Sequence, residues 1–538
     1  MNLQAQKETD NKLNSLNPMG YTSLVDVFNQ ACQQFHHQIA FSCQGDVLDY
    51  EELGDLTDRL ATYLLGELKL NKGDRVAVHL PNCTAFPVIA WGVLKAGLVL
   101  VNINPLYTQR ELAHQLRDSG AVLAFTSGAA VPGFMEVLTV GKGVADIAHI
   151  IHVGEFAGDH AVASNGINVQ PWQTLLANVE AKPELFPDLT MKDIALLQYT
   201  GGTTGPAKGA ILTQGNVFAS AMQSQSILPP QEARALEDAI IMPLPLYHIF
   251  GFVMSIVNGC LQGVHSVLIA NASDLDSVIQ AMKDNPFMCM GAVNTLYAAL
   301  MRHPQFDTID FSRLQVSIAG GTALMSSIAD EWQQRTASTI LEGYGLSETA
   351  ASATCNKVDA NQLGSVGKAL PGIDVKVVDT ENLKLANGQE GELLIRGPQV
   401  MQGYWNRPEA SAEVIDQEGW FRTGDVAIIQ DDGFIRIVDR IKDMIIVSGF
   451  NVYPNEIEDV ASAHPGIVEC AVVGVADERT SEAVKLFAVR SDPALDEQTV
   501  RDYCREQLAG YKVPKHVEFL EALPKSTVGK ILRRELKQ

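Results

Sequence analysis

The sequence predicts an α/β fold: a large N-terminal domain of α/β layers that includes a small β-rich subdomain, followed by a small α+β C-terminal domain. Three observations predict it. Strand-length apolar runs alternate with helix-length segments through the first part of the chain. From Gly364 the texture changes to short strands and turns. After Asp439, two apolar strands and a helix form a unit of about 100 residues, an ordinary domain size. The full length, 538 residues, exceeds what one hydrophobic core serves.

Taken in order, Met1 to Gly20 is polar and lacks an apolar signal region. A disordered leader over 1–20 is expected, with the cytoplasm as the default location. Strands are expected at Arg75 to Leu80, Leu98 to Val101, Ala121 to Phe125, Ile147 to Val153 and Ile194 to Tyr199. The apolar stretch Ala85 to Ile103 raises the question of a membrane span. Pro87 near its start and the interruption Lys95-Ala96-Gly97 make it a buried helix running into a strand. The β-rich subdomain, about 364–439, contains strands at Asp374 to Asp379, Gly391 to Arg396 and Phe434 to Val438. The large domain thus covers 21–439. The C-terminal domain, 440–538, has strands at Val468 to Val475 and Glu482 to Val489 and a helix at Glu497 to Leu508.

Formal net charge is -23, which argues against a general nucleic-acid binder, because such proteins need a basic surface to displace counterions from phosphates. The acidity is uneven. Lys525 to Gln538 carries five basic residues and one acid, a candidate contact for phosphates. Eight cysteines lie far apart with no Cys-x-x-Cys pattern, so buried free thiols are expected rather than disulfides or zinc.

The run Tyr199-Thr200-Gly201-Gly202-Thr203-Thr204-Gly205-Pro206-Ala207-Lys208-Gly209 follows an apolar strand, where phosphate loops sit. Glycines let backbone N–H groups approach an anion, threonine hydroxyls add donors, and Lys208 adds charge. It is not a Walker A loop, because Pro206-Ala207 separate Gly205 from Lys208 and Gly209 follows the lysine.

Further motifs follow: Leu244-Pro245-Leu246-Tyr247-His248-Ile249-Phe250, then Glu342-Gly343-Tyr344-Gly345-Leu346-Ser347-Glu348-Thr349, then Gly419-Trp420-Phe421-Arg422-Thr423-Gly424-Asp425, then Val447-Ser448-Gly449-Phe450-Asn451-Val452-Tyr453-Pro454. With these in order, the sequence from about Tyr21 to Lys537 resembles the adenylate-forming superfamily. It looks closest to bacterial long-chain fatty acyl-CoA synthetases. The resemblance implies ATP-dependent activation of a fatty acid through an acyl-adenylate and transfer to coenzyme A, releasing AMP and pyrophosphate.

It also implies roles. Thr200, Gly201, Gly202, Thr203, Thr204, Gly205 and Lys208 would hold the β- and γ-phosphates of ATP. Thr200 and Glu348 would associate with Mg2+, a hard cation suited to oxygen ligands; taken alone, Glu348 could equally cap a helix. Gly320, Gly321, Thr322, Glu342, Gly343, Tyr344, Gly345 and Thr349 would flank the adenine and the substrate carboxylate, with Tyr344 offering a ring face. Asp425 would accept both ribose hydroxyls, and Arg440 would lie near the ribose and phosphates. His248 would orient the carboxylate rather than act as a base, since a carboxylic acid of pKa about 4 is already ionised at neutral pH. Lys530 would bridge the attacking carboxylate and the α-phosphate, while Arg533, Arg534 and Lys537 read as a solvated basic tail. Lys442 would be the hinge of a mobile C-terminal domain whose rotation withdraws Lys530 and brings Ser448, Gly449 and Phe450 to line the pantetheine tunnel.

Leu246 to Asn258 contains no acid of the kind that holds an amino-acid ammonium group in peptide-synthetase domains. The expected acyl wall is Phe250, Phe252, Val253, Met254, Ile256, Val257, Val293, Leu296, Ile318 and Ala319, a stripe that ordinary core packing would also produce. The eight residues after Lys530 leave no room for a carrier domain, so a stand-alone ligase is expected. The alternatives are an aryl- or medium-chain acyl-CoA ligase and a ligand-binding sensor on a degenerate ligase fold. Partner expectations are fatty acid, ATP and coenzyme A, no nucleic acid, peripheral contact with the inner face of the membrane, and a homodimer.

Overall fold

The computed structural model describes residues 1–140, 146–156, 167–200, 206–228, 238–477, 479–526 and 529–537. A seven-stranded sheet runs Asn168–Pro171, His149–Val153, Leu123–Ser127, Arg75–His79, Val99–Asn102, Ile194–Thr200 and Lys208–Thr213. All neighbours are parallel except the last pair. The five strands expected from the alternating pattern all fall in this one sheet. The apolar stretch after Pro81 forms the helix Ala85–Lys95, buried at every residue. Lys95 ends it inside the protein, close to Asp58 and 5.0 Å from the Phe28 ring centroid.

A nine-stranded sheet has six parallel strands at its centre: Ile340–Tyr344, Val316–Ala319, Phe287–Ala292, Ala239–Met242, His265–Leu268 and Ile39–Cys43. Its edges are closed by short antiparallel strands. The largest apolar core lies between the two sheets and the helices that cover them, with Phe28 and Trp91 stacked at 4.6 Å. In parallel sheets, ligands collect beyond the carboxyl ends of the strands. Here Thr200, Gly320 and Tyr344 all lie at such ends.

The β-rich part is an antiparallel four-stranded sheet, Asp374–Val378, Glu390–Arg396, Phe421–Ile429 and Ile435–Arg440. The chain then enters a separate five-stranded sheet at Ile445–Val447, covered by the helices Pro454–Ser462 and Glu497–Gln507. Among the described residues, no helix is long and apolar enough to cross a membrane. All eight cysteines are free, six of them buried.

The leader departs from expectation. Residues 1–20 are not disordered: Leu3–Ser15 is a helix whose cap, the Asn2 side chain, accepts the Ala5 amide at 2.9 Å. The segment is too polar to build a core alone, but it docks through charge. Lys12 lies 2.5 Å from Asp374, and Arg396 pairs with both Glu8 at 2.9 Å and Asp374 at 2.7 Å. Burial acts to raise the Asp374 carboxyl, yet Lys12 and Arg396 hold it below its ordinary pKa. Asp374→Ala is expected to cost about 1–2 kcal/mol, read as a lower urea midpoint, and to cost less in high salt.

Candidate active site

A cleft of about 2720 Å³ opens where the strand ends of the large domain face the C-terminal domain. Thr200 and Lys208 are direct partners in the antiparallel pair that closes the seven-stranded sheet, so the fold sets the two ends of the glycine-threonine loop opposite each other. Gly201, Gly202, Thr203, Thr204 and Gly205 lie outside the described residues.

On the facing sheet, Ile340–Tyr344 delivers the second cluster. Glu342 is buried and accepts the Gly364 amide at 3.0 Å, and burial pushes its carboxyl up to about 7. The Tyr344 hydroxyl donates to Asp425 Oδ2 at 2.5 Å. Thr349 turns inward, its hydroxyl accepting the Leu346 amide at 2.9 Å, so it shapes the turn that presents Glu348. Gly343 and Gly345 line the cleft on either side of Tyr344. Glu348 is 8% exposed, and burial raises its pKa against the hydrogen bond it receives from Tyr404 at 2.8 Å. The sequence carried no spacing signal for Tyr404.

Asp425 and Arg440 pair across neighbouring antiparallel strands, with Arg440 Nε 3.5 Å from Asp425 Oδ1. Asp425 is 3% exposed, and burial raises its pKa although Arg440 opposes the shift. The strand ends at Arg440 in a tight turn, in which the amides of Asp443 and Met444 both donate to the Arg440 carbonyl. Lys442 sits within this turn and reaches the cleft.

The C-terminal domain inserts Lys530 opposite these groups. Lys525 and Ile531 bridge, the Ser526 amide donates to the Lys530 carbonyl at 2.7 Å, and Gly529 turns with φ +75°. The Thr295 hydroxyl donates to the Gly529 carbonyl at 3.4 Å, joining the tip of this loop to the large domain. Gly321 has φ +81°, and a Cβ there would meet Lys530 Cε at 3.1 Å. Glycine at 321 therefore allows the backbone turn and the close passage of the lysine. Burial, and after it the charge of Arg440, pushes Lys530 down to about 8. His248 Nδ1 accepts the Phe250 amide at 3.3 Å, and burial together with Lys530 pushes its imidazole down to about 3. It is neutral at any physiological pH, which suits an orienting group.

Not every expected residue reaches the cleft. Ser448, Gly449 and Phe450 are exposed on the C-terminal domain, with Phe450 stacked on Tyr511 at 4.8 Å. Of the expected acyl wall, Phe250, Met254, Ile318 and Ala319 line the cleft. Phe252, Val253, Ile256 and Val257, which share the π-helix Phe252–Val257 with Met254, are buried core residues instead. Arg533 is also no tail residue. Its guanidinium pairs with Glu458 at 2.7 Å and donates to Asn455 at 2.8 Å, fixing the segment that presents Lys530.

The cleft also leaves a polar group without a partner. Thr322 Oγ1 is buried there with no partner among the described residues. A buried hydroxyl of this kind is costly unless a ligand satisfies it. Among the described residues, no group of three or more His, Cys, Asp or Glu side chains is arranged to hold a metal. One carboxylate and one hydroxyl, Glu348 and Thr200, fit a Mg2+ that takes its other ligands from phosphates and water.

The family model described as AMP-binding enzyme matches residues 28–405, and the one described as AMP-binding enzyme C-terminal domain matches 456–530. The chain belongs to the AMP-binding enzyme family. Within it, the chain is 42% identical to a long-chain-fatty-acid--CoA ligase of Escherichia coli O157:H7, covering 97% of this chain and 95% of that one. It is 33% identical to a ligase of the same name from Bacillus subtilis, covering 96% and 95%. Among solved structures it resembles ATP-bound MatB from Rhodopseudomonas palustris, with a TM-score of 0.82, 28% identity, and 95% and 98% of the two chains covered. The AMP-binding fold of a large N-terminal and a small C-terminal domain is therefore shared along almost the whole length.

Proposed function

We propose that this chain is an ATP-dependent, AMP-forming ligase that converts long-chain fatty acids to acyl-CoA through an acyl-adenylate. The observation that carries the reading is Lys530, held against Gly321 from the opposite domain and facing Glu348, Asp425 and Arg440. The near full-length similarity to long-chain ligases supports the substrate class. In the first step a carboxylate oxygen attacks the α-phosphate, forming the C–O–P bond as pyrophosphate leaves. Thr200 and Lys208 hold the leaving side, Asp425 accepts the ribose hydroxyls, and Lys530 neutralises charge where the new bond forms. Thr200 and Glu348 would hold a bound Mg2+, which would supply further charge neutralisation at the phosphates. His248, neutral and fixed on the Phe250 amide, orients the carboxylate.

The second step is attack of the coenzyme A thiolate on the acyl carbonyl, with AMP as the leaving group. Ser448, Gly449 and Phe450 lie away from the cleft in the arrangement that inserts Lys530. Rotation about Lys442 would exchange them, so one cleft serves two half-reactions. The apolar wall from Phe250, Met254, Ile318 and Ala319 supports a hydrocarbon tail.

A pyrophosphate-release assay with palmitate, octanoate and benzoate tests the substrate class. Each buried methylene contributes about 0.8 kcal/mol, so burial of even about half of the methylenes by which palmitate exceeds octanoate should raise kcat/KM by about 10²-fold. Turnover of benzoate alone would leave an aryl-CoA ligase as the reading.

A further inference from the structure

Lys208 and Glu348 have opposite charge and serve the same end of the cleft, yet among the described residues neither makes an ion pair. Tyr404 stands with both. Its hydroxyl donates to Glu348 Oε1 at 2.8 Å, and its ring lies under Lys208 Nζ, 5.0 Å from the centroid. Tyr404 is 9% exposed, and its position is set by backbone. The Ile211 amide donates to the Gly403 carbonyl at 2.9 Å, the Trp405 amide to the Gly209 carbonyl at 2.8 Å, and the Met401 amide to the Glu348 carbonyl at 2.8 Å. Residues 401–405 therefore join the strand that begins at Lys208 to the turn that carries Glu348.

We propose that Tyr404 is a positioning residue that keeps these two charges apart and aimed: it orients the Glu348 carboxylate toward the metal of the bound nucleotide and carries Lys208 on its ring face toward the phosphates. A carboxylate that accepts a fixed hydroxyl on one oxygen is restricted in rotation and presents the other. A lysine ammonium over an aromatic face is held by the ring quadrupole while its three N–H donors remain available. A direct Lys208–Glu348 pair would neutralise both groups and draw the lysine from the phosphates. The inference rests on the reading of Glu348 as a metal-associated residue.

Isothermal titration of the full chain with ATP, with and without Mg2+, tests it without turnover. Tyr404→Phe removes the hydroxyl and keeps the ring. It should lower the gain in ATP affinity that Mg2+ confers by about tenfold and leave Mg2+-free ATP affinity within about twofold of the parent. Tyr404→Leu removes the ring as well and should weaken Mg2+-free binding by about threefold more. An unchanged Mg2+ gain in Tyr404→Phe, or equal losses with and without the metal, would overturn the proposal. Glu348→Gln separates the two levels. If it leaves the Mg2+ gain intact, the metal reading of Glu348 fails; if it removes the gain while Tyr404→Phe does not, only the role of Tyr404 fails.

Discussion

Lys530→Ala is expected to lower the rate of adenylate formation about 10³-fold while leaving thioester formation from preformed acyl-adenylate within a few-fold of the parent. The asymmetry follows from where the side chain is held. Lys530 lies beside the Lys525–Ile531 bridge and next to Gly529, which contacts Thr295 of the large domain, in the arrangement that has Ser448 and Phe450 outside the cleft. Single-turnover pyrophosphate release and AMP release from supplied acyl-adenylate read the two steps separately. Equal loss of both would contradict the assignment.

The same lysine predicts a pH dependence. Burial, followed by the charge of Arg440, brings its pKa from 10.5 to about 8, and the working form is the ammonium. Adenylation should therefore fall as pH rises through about 8, with no matching fall in the second step from Lys530. The stability linkage has its own sign. Between about 8 and 10.5 the unfolded chain binds the proton that the folded chain has released, so this group's cost to stability is full below 8 and is relieved as pH rises.

Five of the seven strands of the seven-stranded sheet were legible because they are aliphatic runs, such as Arg75–His79 and Ile194–Thr200, separated by helical lengths; Asn168–Pro171 and Lys208–Thr213 were not. Neither were those at the centre of the nine-stranded sheet. Phe287–Ala292 reads Phe-Met-Cys-Met-Gly-Ala, with no β-branched residue and all positions buried, so neither propensity nor alternation marks it. The glycine-threonine loop was legible from its residue types, whereas Glu348, Asp425 and Lys530 stood out only through the family resemblance of the motifs around them. Tyr404 and Arg533 were not legible, because what distinguishes them is contact across the fold. The leader helix shows the same limit: its partners Asp374 and Arg396 lie more than 350 residues away in sequence. Four of the ten residues of the expected acyl wall, Phe252, Val253, Ile256 and Val257, lie in the π-helix Phe252–Val257 as core, the outcome that an apolar stripe leaves open.

Asp425 separates what serves binding from what serves folding. Its carboxylate is almost wholly buried, receives the Tyr344 hydroxyl on one oxygen and faces Arg440 with the other, and burial raises its pKa. A raised carboxyl means that the folded chain holds the proton more tightly than the unfolded one. Its ionisation therefore costs stability as pH rises above the ordinary value of 3.8, and that cost is present at neutral pH. Asp425→Asn, which keeps the shape and removes the charge, should be neutral or slightly stabilising in a thermal melt, within about 1 kcal/mol, because the Arg440 side chain is 41% exposed and is not left as a buried unpaired charge. Catalysis should respond oppositely. Ribose hydroxyls donate more strongly to a carboxylate than to an amide oxygen, and the Asn side chain leaves Arg440 without its counter-charge. Asp425→Asn should lower kcat/KM for ATP about tenfold. Asp425→Ala should lower it about 10²-fold, because the acceptors are then gone and Tyr344 loses the partner that fixes its ring beside the adenine-flanking segment. A melt that falls in step with activity would instead place Asp425 in the scaffold; intact kcat/KM for ATP in Asp425→Ala would remove it from the nucleotide site.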